Sequence, residues 1–280
     1  MPSIRYFAPA AALRDCISSY YWFTSDLPVF ADMMRAELPQ VRLVTAGCAS
    51  NHYASGDVVS GVPALLQGPT SAPVHFTAHG RLHVFGLGLL PLGWAQLVGV
   101  PADALADTGV PLGDVFGPCA NGLLDAVATA PNDAARVAAV DRFFLCMLER
   151  ARAAPRWFTA MTDDWLTASS APDVDALVAA SGMSQRSVER LSRRIYGATP
   201  KLLARKYRTL GAAVRMGNHE QDDWSEAGEG FYDQAHLIRE FKQFTGMTPK
   251  RFLAEAAPVT RLTIARKRLM PGLPKLALYS

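Results

Sequence analysis

The sequence predicts an α+β chain: a β-rich N-terminal domain (barrel- or sandwich-like), a helical connector, and an all-α C-terminal domain. Three observations lead there. From residue 4 to about 117, short apolar runs alternate with Gly, Pro, Ser and Asp, the mark of strands and turns. Between 119 and 153 the apolar residues move to helical spacing. Beyond Pro155 a capped helical motif occurs twice, its glycines Gly197 and Gly246 standing 49 positions apart.

At 280 residues and 50% hydrophobic, the chain can bury two globular cores. Its net charge of +3 is too small to argue for nucleic acid by itself. Cys16, Cys48, Cys119 and Cys146 lie far apart with no C-x-x-C. That spacing suits neither zinc nor a disulfide framework, so buried free thiols in a reducing cytoplasm are expected. No basic-then-apolar leader opens the chain, and no signal peptide is expected. Residues 82–100 are nearly uncharged and about long enough to span a membrane. Pro91, His83, Gln96 and four glycines within them favour a buried strand running into a helix, so no membrane partner is expected.

Taken in order, strands are expected at 16–24, 41–46, 58–59, 74–78 and 81–89, with a hairpin turn at His79-Gly80. That hairpin pairs 75 with 84 and 76 with 83, which puts His75 and His83 on opposite faces and argues against a metal site. Residues 91–98 read as a short helix and 109–117 as a loop. Leu123, Leu124 and Val127 mark one helix. After Pro131-Asn-Asp, Val137, Val140, Phe144, Met147 and Leu148 mark another. These stripes could pack on the β domain or form a dimer seam; the sequence leaves both open. Ala153-Ala-Pro155 is the expected boundary. The division is then 1–118, a connector at 119–155, a helical domain at 156–258, and a basic tail at 259–280. The tail, with Arg261, Arg266, Lys267, Arg268 and Lys275 and no acids, is expected to be solvated, with a supplementary nucleic-acid contact the second possibility.

The repeated motif is most complete at 184–200, S-Q-R-S-V-E-R-L-S-R-R-I-Y-G-A-T-P. Ser184 is an N-cap, and Gly197 with Thr199-Pro200 is a stop. Val188, Leu191, Ser192 and Ile195 fall on one face, and Gln185, Arg186, Glu189, Arg190 and Arg193 on the other. Arg186, Arg190 and Arg193 thus form a guanidinium stripe. Upstream, 173–182 reads as a short helix with Val174, Leu177 and Val178 inward. Helix, tight turn and capped basic helix is the helix-turn-helix plan. Residues 233–249 repeat it: Asp233 matches Ser184, Leu237 matches Val188, Arg239 matches Arg190, Gly246 matches Gly197. A connecting helix is expected at 202–218. From 184 to 208, Arg186, Arg190, Arg193, Arg194, Lys201, Arg205, Lys206 and Arg208 face one acid, Glu189, an electropositive footprint suited to phosphates.

The motifs S-x-R-x-V-x-R, G-A-T-P, G-F-Y-D-Q-A-H-L-I-R-E-F and T-G-M-T-P resemble the AraC-type transcriptional regulators over roughly 156–255. The resemblance implies two helix-turn-helix units joined by a long helix, double-stranded DNA as partner, and transient contact with RNA polymerase. Two departures stand out: Ser192 where the family usually carries Phe, and Gly228-Glu229 in the helix before the second motif. The first domain, in L-H-V-F-G-L-G-L-L-P-L-G-W and L-G-V-P-A, resembles the family's effector domain. That implies an unidentified small-molecule effector and allows a homodimer.

In a major-groove helix, side chains near the N-terminal end read bases, with Arg to guanine and Gln to adenine the commonest pairs. Gln185 and Arg186 are the expected base readers, with Ser187 in the same turn. Arg190, Arg193 and Arg194 are expected on phosphates or in helix packing. In the second unit Gln234, His236, Arg239 and Lys242 take the equivalent places, and the short Ala235 suggests a helix that positions more than it specifies. An enzyme with a DNA-binding appendage is the rival reading, and a non-specific nucleic-acid binder a third. No nucleophile motif, tight carboxylate pair or phosphate loop supports the enzyme, so no catalytic residue, metal or cofactor is expected.

Overall fold

The structure is a computed structural model and describes residues 2–218, 228–255, 258–270 and 272–279. Its N-terminal half is one antiparallel sheet: β1 (Ser3–Phe7), β2 (Ile17–Ser25), β3 (Val29–Met34), β4 (Gln40–His52), β5 (Val58–Ser60), β6 (Ala64–Gln67), β7 (Val74–Leu89) and β8 (Gly109–Pro111). The main path runs β1-β2-β7-β4-β6-β8, with β3 also on β7 and β5 also on β4, and the sheet stays open.

β7 corrects the expected hairpin. The chain does not reverse at His79-Gly80 but continues as one strand of 16 residues. Its first half pairs with β3 (Met34↔Val74 to Val29↔His79) and its second with β2 (Ser25↔Leu82 to Ile17↔Leu89). Gly80 does take a left-handed φ of 74°, but as part of an irregularity opposite the bulged middle of β4. There Gly47 lies so close to Arg81 that a Cβ would sit 2.3 Å from its carbonyl oxygen.

The histidines change with it. Val74, Phe76, Ala78, Leu82 and Val84 are buried, so His75, His79 and His83 share the outer side rather than opposite faces. At roughly 3.3 Å per residue, neighbours among them stand about 13 Å apart, too far to share one ion.

Residues 82–100 are the buried end of β7 followed by α1 (Pro91–Gly93) and a π-helical turn, Trp94–Val98. Among the described residues no helix is long and apolar enough to cross a membrane. The expected loop at 109–117 is instead β8 and α2 (Leu112–Phe116), because Leu112 is drawn into the core. α3 (Cys119–Ala128) and α4 (Asp133–Glu149, capped by Asn132) turn Leu123, Val127, Val140 and Phe144 into the same core as Tyr20, Phe85 and Trp94. The apolar stripes of the connector therefore pack on the β domain. All four cysteines are free, but only Cys16 is buried; Cys48, Cys119 and Cys146 are exposed, against expectation.

The C-terminal half contains α5 (Arg156–Ala168), α6 (Val174–Ser181), α7 (Gln185–Tyr196), α8 (Pro200–Gly217), α9 (Gln234–Thr245) and α10 (Pro249–Glu255). Phe158, Leu177, Val188 and Ile195 centre one core; Met216, Leu237, Phe241 and Phe252 centre the second. Ser192 is fully buried, its hydroxyl without a hydrogen-bond partner among the described residues. Residues 219–227, most of the helix expected before the second motif, lie outside the described residues.

The tail is not solvated. It forms α11 (Pro258–Ile264), α12 (Arg266–Leu269) and α13 (Lys275–Leu278), and Ile264, Arg266, Leu276 and Ala277 are buried.

Candidate nucleic-acid interface

In α7 the Ser184 hydroxyl accepts the Ser187 N–H (3.3 Å), and Gly197, at φ 79°, returns its N–H to the Arg193 carbonyl. These caps satisfy helix-end groups locally and fix where the helix starts and stops. Val188, Ser192, Ile195 and Tyr196 are buried, while Gln185, Arg186, Arg190, Arg193 and Arg194 are exposed and Ser187 is half-buried. None of these four arginines makes an ion pair among the described residues. Gln185 donates to Glu189 (3.1 Å), so its amide is already oriented along the helix face.

α9 repeats the design. The Asp233 carboxylate accepts the His236 N–H at 2.6 Å, and Gly246, at φ 78°, donates to the Lys242 carbonyl. Gln234, Ala235, Arg239 and Lys242 are exposed. His236 is half-buried: its Nδ1 accepts the Tyr232 N–H, and its ring meets Phe231 edge-on. Tyr232 itself, 93% exposed beside the cap, escaped the sequence reading because an aromatic residue in a turn carries no pattern.

Three cations of the expected footprint are not available to phosphates. Arg205 makes a bidentate pair with buried Glu240 (2.9 and 2.7 Å). Lys206 is buried and donates to the carbonyls of Glu37 (2.8 Å) and Thr70 (2.7 Å), and burial pushes its pKa down to about 8. Arg208 donates to the Gly230 carbonyl and lies over the Phe231 ring. α8 is an internal strut, and these three charges serve packing. Arg186, Arg190, Arg193, Arg194 and Lys201 remain exposed.

The β domain holds both motifs from behind. A Cβ on Gly197 would meet Pro69 at 2.4 Å, and one on Gly246 would meet the Met33 sulfur at 2.2 Å and Pro73 at 3.2 Å. The glycines that end the two basic helices are thus also docking points. Contact at the C-terminal ends leaves the N-terminal turns, where bases would be read, uncovered.

A cavity of about 110 Å³ opens in the β domain beside β3. Ile4, Phe23, Val44, Phe76 and Val84 supply apolar wall. Its polar side carries Arg35, Arg42 and Arg266 against one carboxylate, Glu37, which pairs with Arg42 at 2.5 Å. Burial, with Arg266 nearby, pushes Arg35 down to about 10. Its Nη2 is buried without a hydrogen-bond partner among the described residues. Sequence reading missed this cluster because its members come from segments more than 220 residues apart.

Residues 177–255 match the family described as helix-turn-helix domain, and residues 5–111 match a domain of unknown function. No curated protein matches the chain. Among solved structures, ToxT from Vibrio cholerae O395 is similar at 6% identity over 91% of this chain and 96% of that one, with a TM-score of 0.47. Unsaturated fatty acid bound ToxT from strain SCE256 gives 8%, 84%, 94% and 0.48. The AraC-like transcriptional activator CuxR gives 12%, 76%, 87% and 0.31.

Proposed function

We propose that the chain is an AraC-type DNA-binding transcription regulator that reads a defined, asymmetric site with α7 and α9 while its β domain senses a small molecule. The observation that carries this reading is the pair of capped helices. Each buries an apolar face, exposes a polar or basic one, and is held from behind by the β domain. Gln185 and Arg186 read bases; Arg190, Arg193 and Arg194 hold phosphates; Gln234, His236, Arg239 and Lys242 engage the second groove.

The effector reading rests on the cavity. Apolar walls and the buried Arg35 guanidinium, whose Nη2 has no hydrogen-bond partner among the described residues, call for a ligand with an apolar body and an anionic end, since a buried donor left unsatisfied is costly. Occupancy would alter DNA affinity or contact with RNA polymerase. Footprinting on the promoter regions of its source genome tests the first reading: a discrete protected stretch is expected, and uniform, sequence-indifferent protection would contradict it.

A further inference from the structure

The cavity is closed on one side by residues between 259 and 266, which lie beyond both matched segments. α11 lies along β3. The Val259 N–H donates to Asp32 (2.9 Å), the Tyr6 hydroxyl to the Leu262 carbonyl (3.5 Å), and Arg35 Nη1 to the Thr263 hydroxyl (2.7 Å). Val259, Thr260, Thr263 and Arg266 face the cavity. The chain then turns back, and α13 seats Leu276 and Ala277 in the core of the first helix-turn-helix unit, with Leu38, Leu90 and Phe158.

The end of this tail meets the arginines of the cavity. The Tyr279 carbonyl accepts from Arg35 Nε (3.4 Å), and the Ala277 carbonyl accepts from Arg266. Neutral carbonyls are weaker acceptors for a guanidinium than a carboxylate. Arg35 also keeps a buried donor, Nη2, without a hydrogen-bond partner among the described residues. We propose that residues 258–279 are a built-in competitor: their terminal carbonyls stand where the carboxylate of an apolar ligand binds, and ligand entry releases α13 from its seat. Because α13 packs on α5, with Tyr279 beside Gly211 of α8 and Leu276 in the core that Leu38 and Leu90 share, release removes one of the contacts between the first helix-turn-helix unit and the β domain. The proposal rests on the cavity being an effector site, and is independent of which side chains touch DNA.

The test uses the full chain with decanoate as probe and 1-decanol as the uncharged control. Calorimetry measures binding, and hydrogen exchange measures protection of residues 275–279. Decanoate is expected to bind one per chain and to lower that protection at least tenfold, while decanol leaves it unchanged. Leu276→Ala weakens the seat of α13 and should tighten decanoate binding roughly tenfold; Arg35→Gln, which loosens the tail at Thr263 and Tyr279 but also removes the guanidinium that holds the carboxylate, should abolish it. Binding to the Leu276→Ala variant alone also supports the proposal, because the tail then holds the wild-type site shut. Decanoate binding with unchanged protection and equal affinity for wild type and Leu276→Ala overturns the competitor and leaves the effector site standing. Binding to neither protein overturns both, and footprinting still reports on the DNA-binding reading.

Discussion

The Ala36 N–H donates to the Phe244 carbonyl at 2.8 Å, joining the segment that lines the cavity to the last turn of α9. Ala36 sits between Arg35 and Glu37, which face the cavity while Ala36 faces the second helix-turn-helix unit. Displacement of this segment reaches α9 through this hydrogen bond and through the packing of Ala36 on Phe244.

Ala36→Pro removes that donor and leaves a helix-end carbonyl buried without it. A loss of about 1–3 kcal/mol in stability is expected, read as a lower midpoint of urea unfolding. An unchanged midpoint would show that the bond contributes nothing to the docking of α9.

The arginines of α7 should divide by role. Arg186→Ala is expected to cost roughly 1–3 kcal/mol on the specific site and to relax preference at one base pair. Arg194→Ala should weaken specific and non-specific DNA about equally. Binding isotherms on matched and mismatched sites decide it, and a uniform loss for Arg186→Ala would remove that residue from base reading.

Ser192 buries a hydroxyl that has no hydrogen-bond partner among the described residues. Ser192→Ala should therefore raise stability, by about 1 kcal/mol, since no hydrogen bond is lost and a desolvated polar group is removed. A destabilised alanine variant would mean that the hydroxyl is satisfied.

Asp163, on α5, accepts the Tyr196 hydroxyl at 2.7 Å and is pushed up to about 7 by burial. A carboxyl whose folded pKa is raised binds its proton more tightly when folded. Its stabilising contribution is complete below about pH 4, the usual unfolded value, and is lost as pH rises through 7. Stability should fall by up to about 1.4 kcal/mol per pH unit across that window, and Asp163→Asn should flatten the dependence. Equal pH profiles for the two proteins would refute the assignment.

The helix-turn-helix motifs were legible because their determinants are local. Ser184, Asp233, Gly197 and Gly246 act within four residues of themselves, and Val188 and Leu237 repeat at fixed offsets. The β domain was legible in type but not in pairing. Gly80 with a left-handed φ serves a bulge as well as a hairpin, and the choice is made by β2 and β3, which claim the two halves of β7. The footprint was overdrawn at Arg205, Lys206 and Arg208, whose partners lie at Glu240, Glu37 and Thr70, and at Gly230, mostly far along the chain. The tail was misread for the same reason: Arg266 looks solvated until Tyr6, Arg35 and Ala277 surround it.

The central claim is that one chain engages two successive major grooves through two different helices. α8, Pro200–Gly217, has 18 residues and spans about 27 Å at 1.5 Å per residue. α7 and α9 pack against it, and a separation near the 34–36 Å of one DNA turn is expected between them. Binding should be measured on the footprinted site and on the same site with five base pairs inserted between its halves, which moves the second groove to the far side of the duplex. Affinity is expected to fall to that of a half-site alone. Equal affinity for both DNAs would contradict the account and leave only one unit on the DNA.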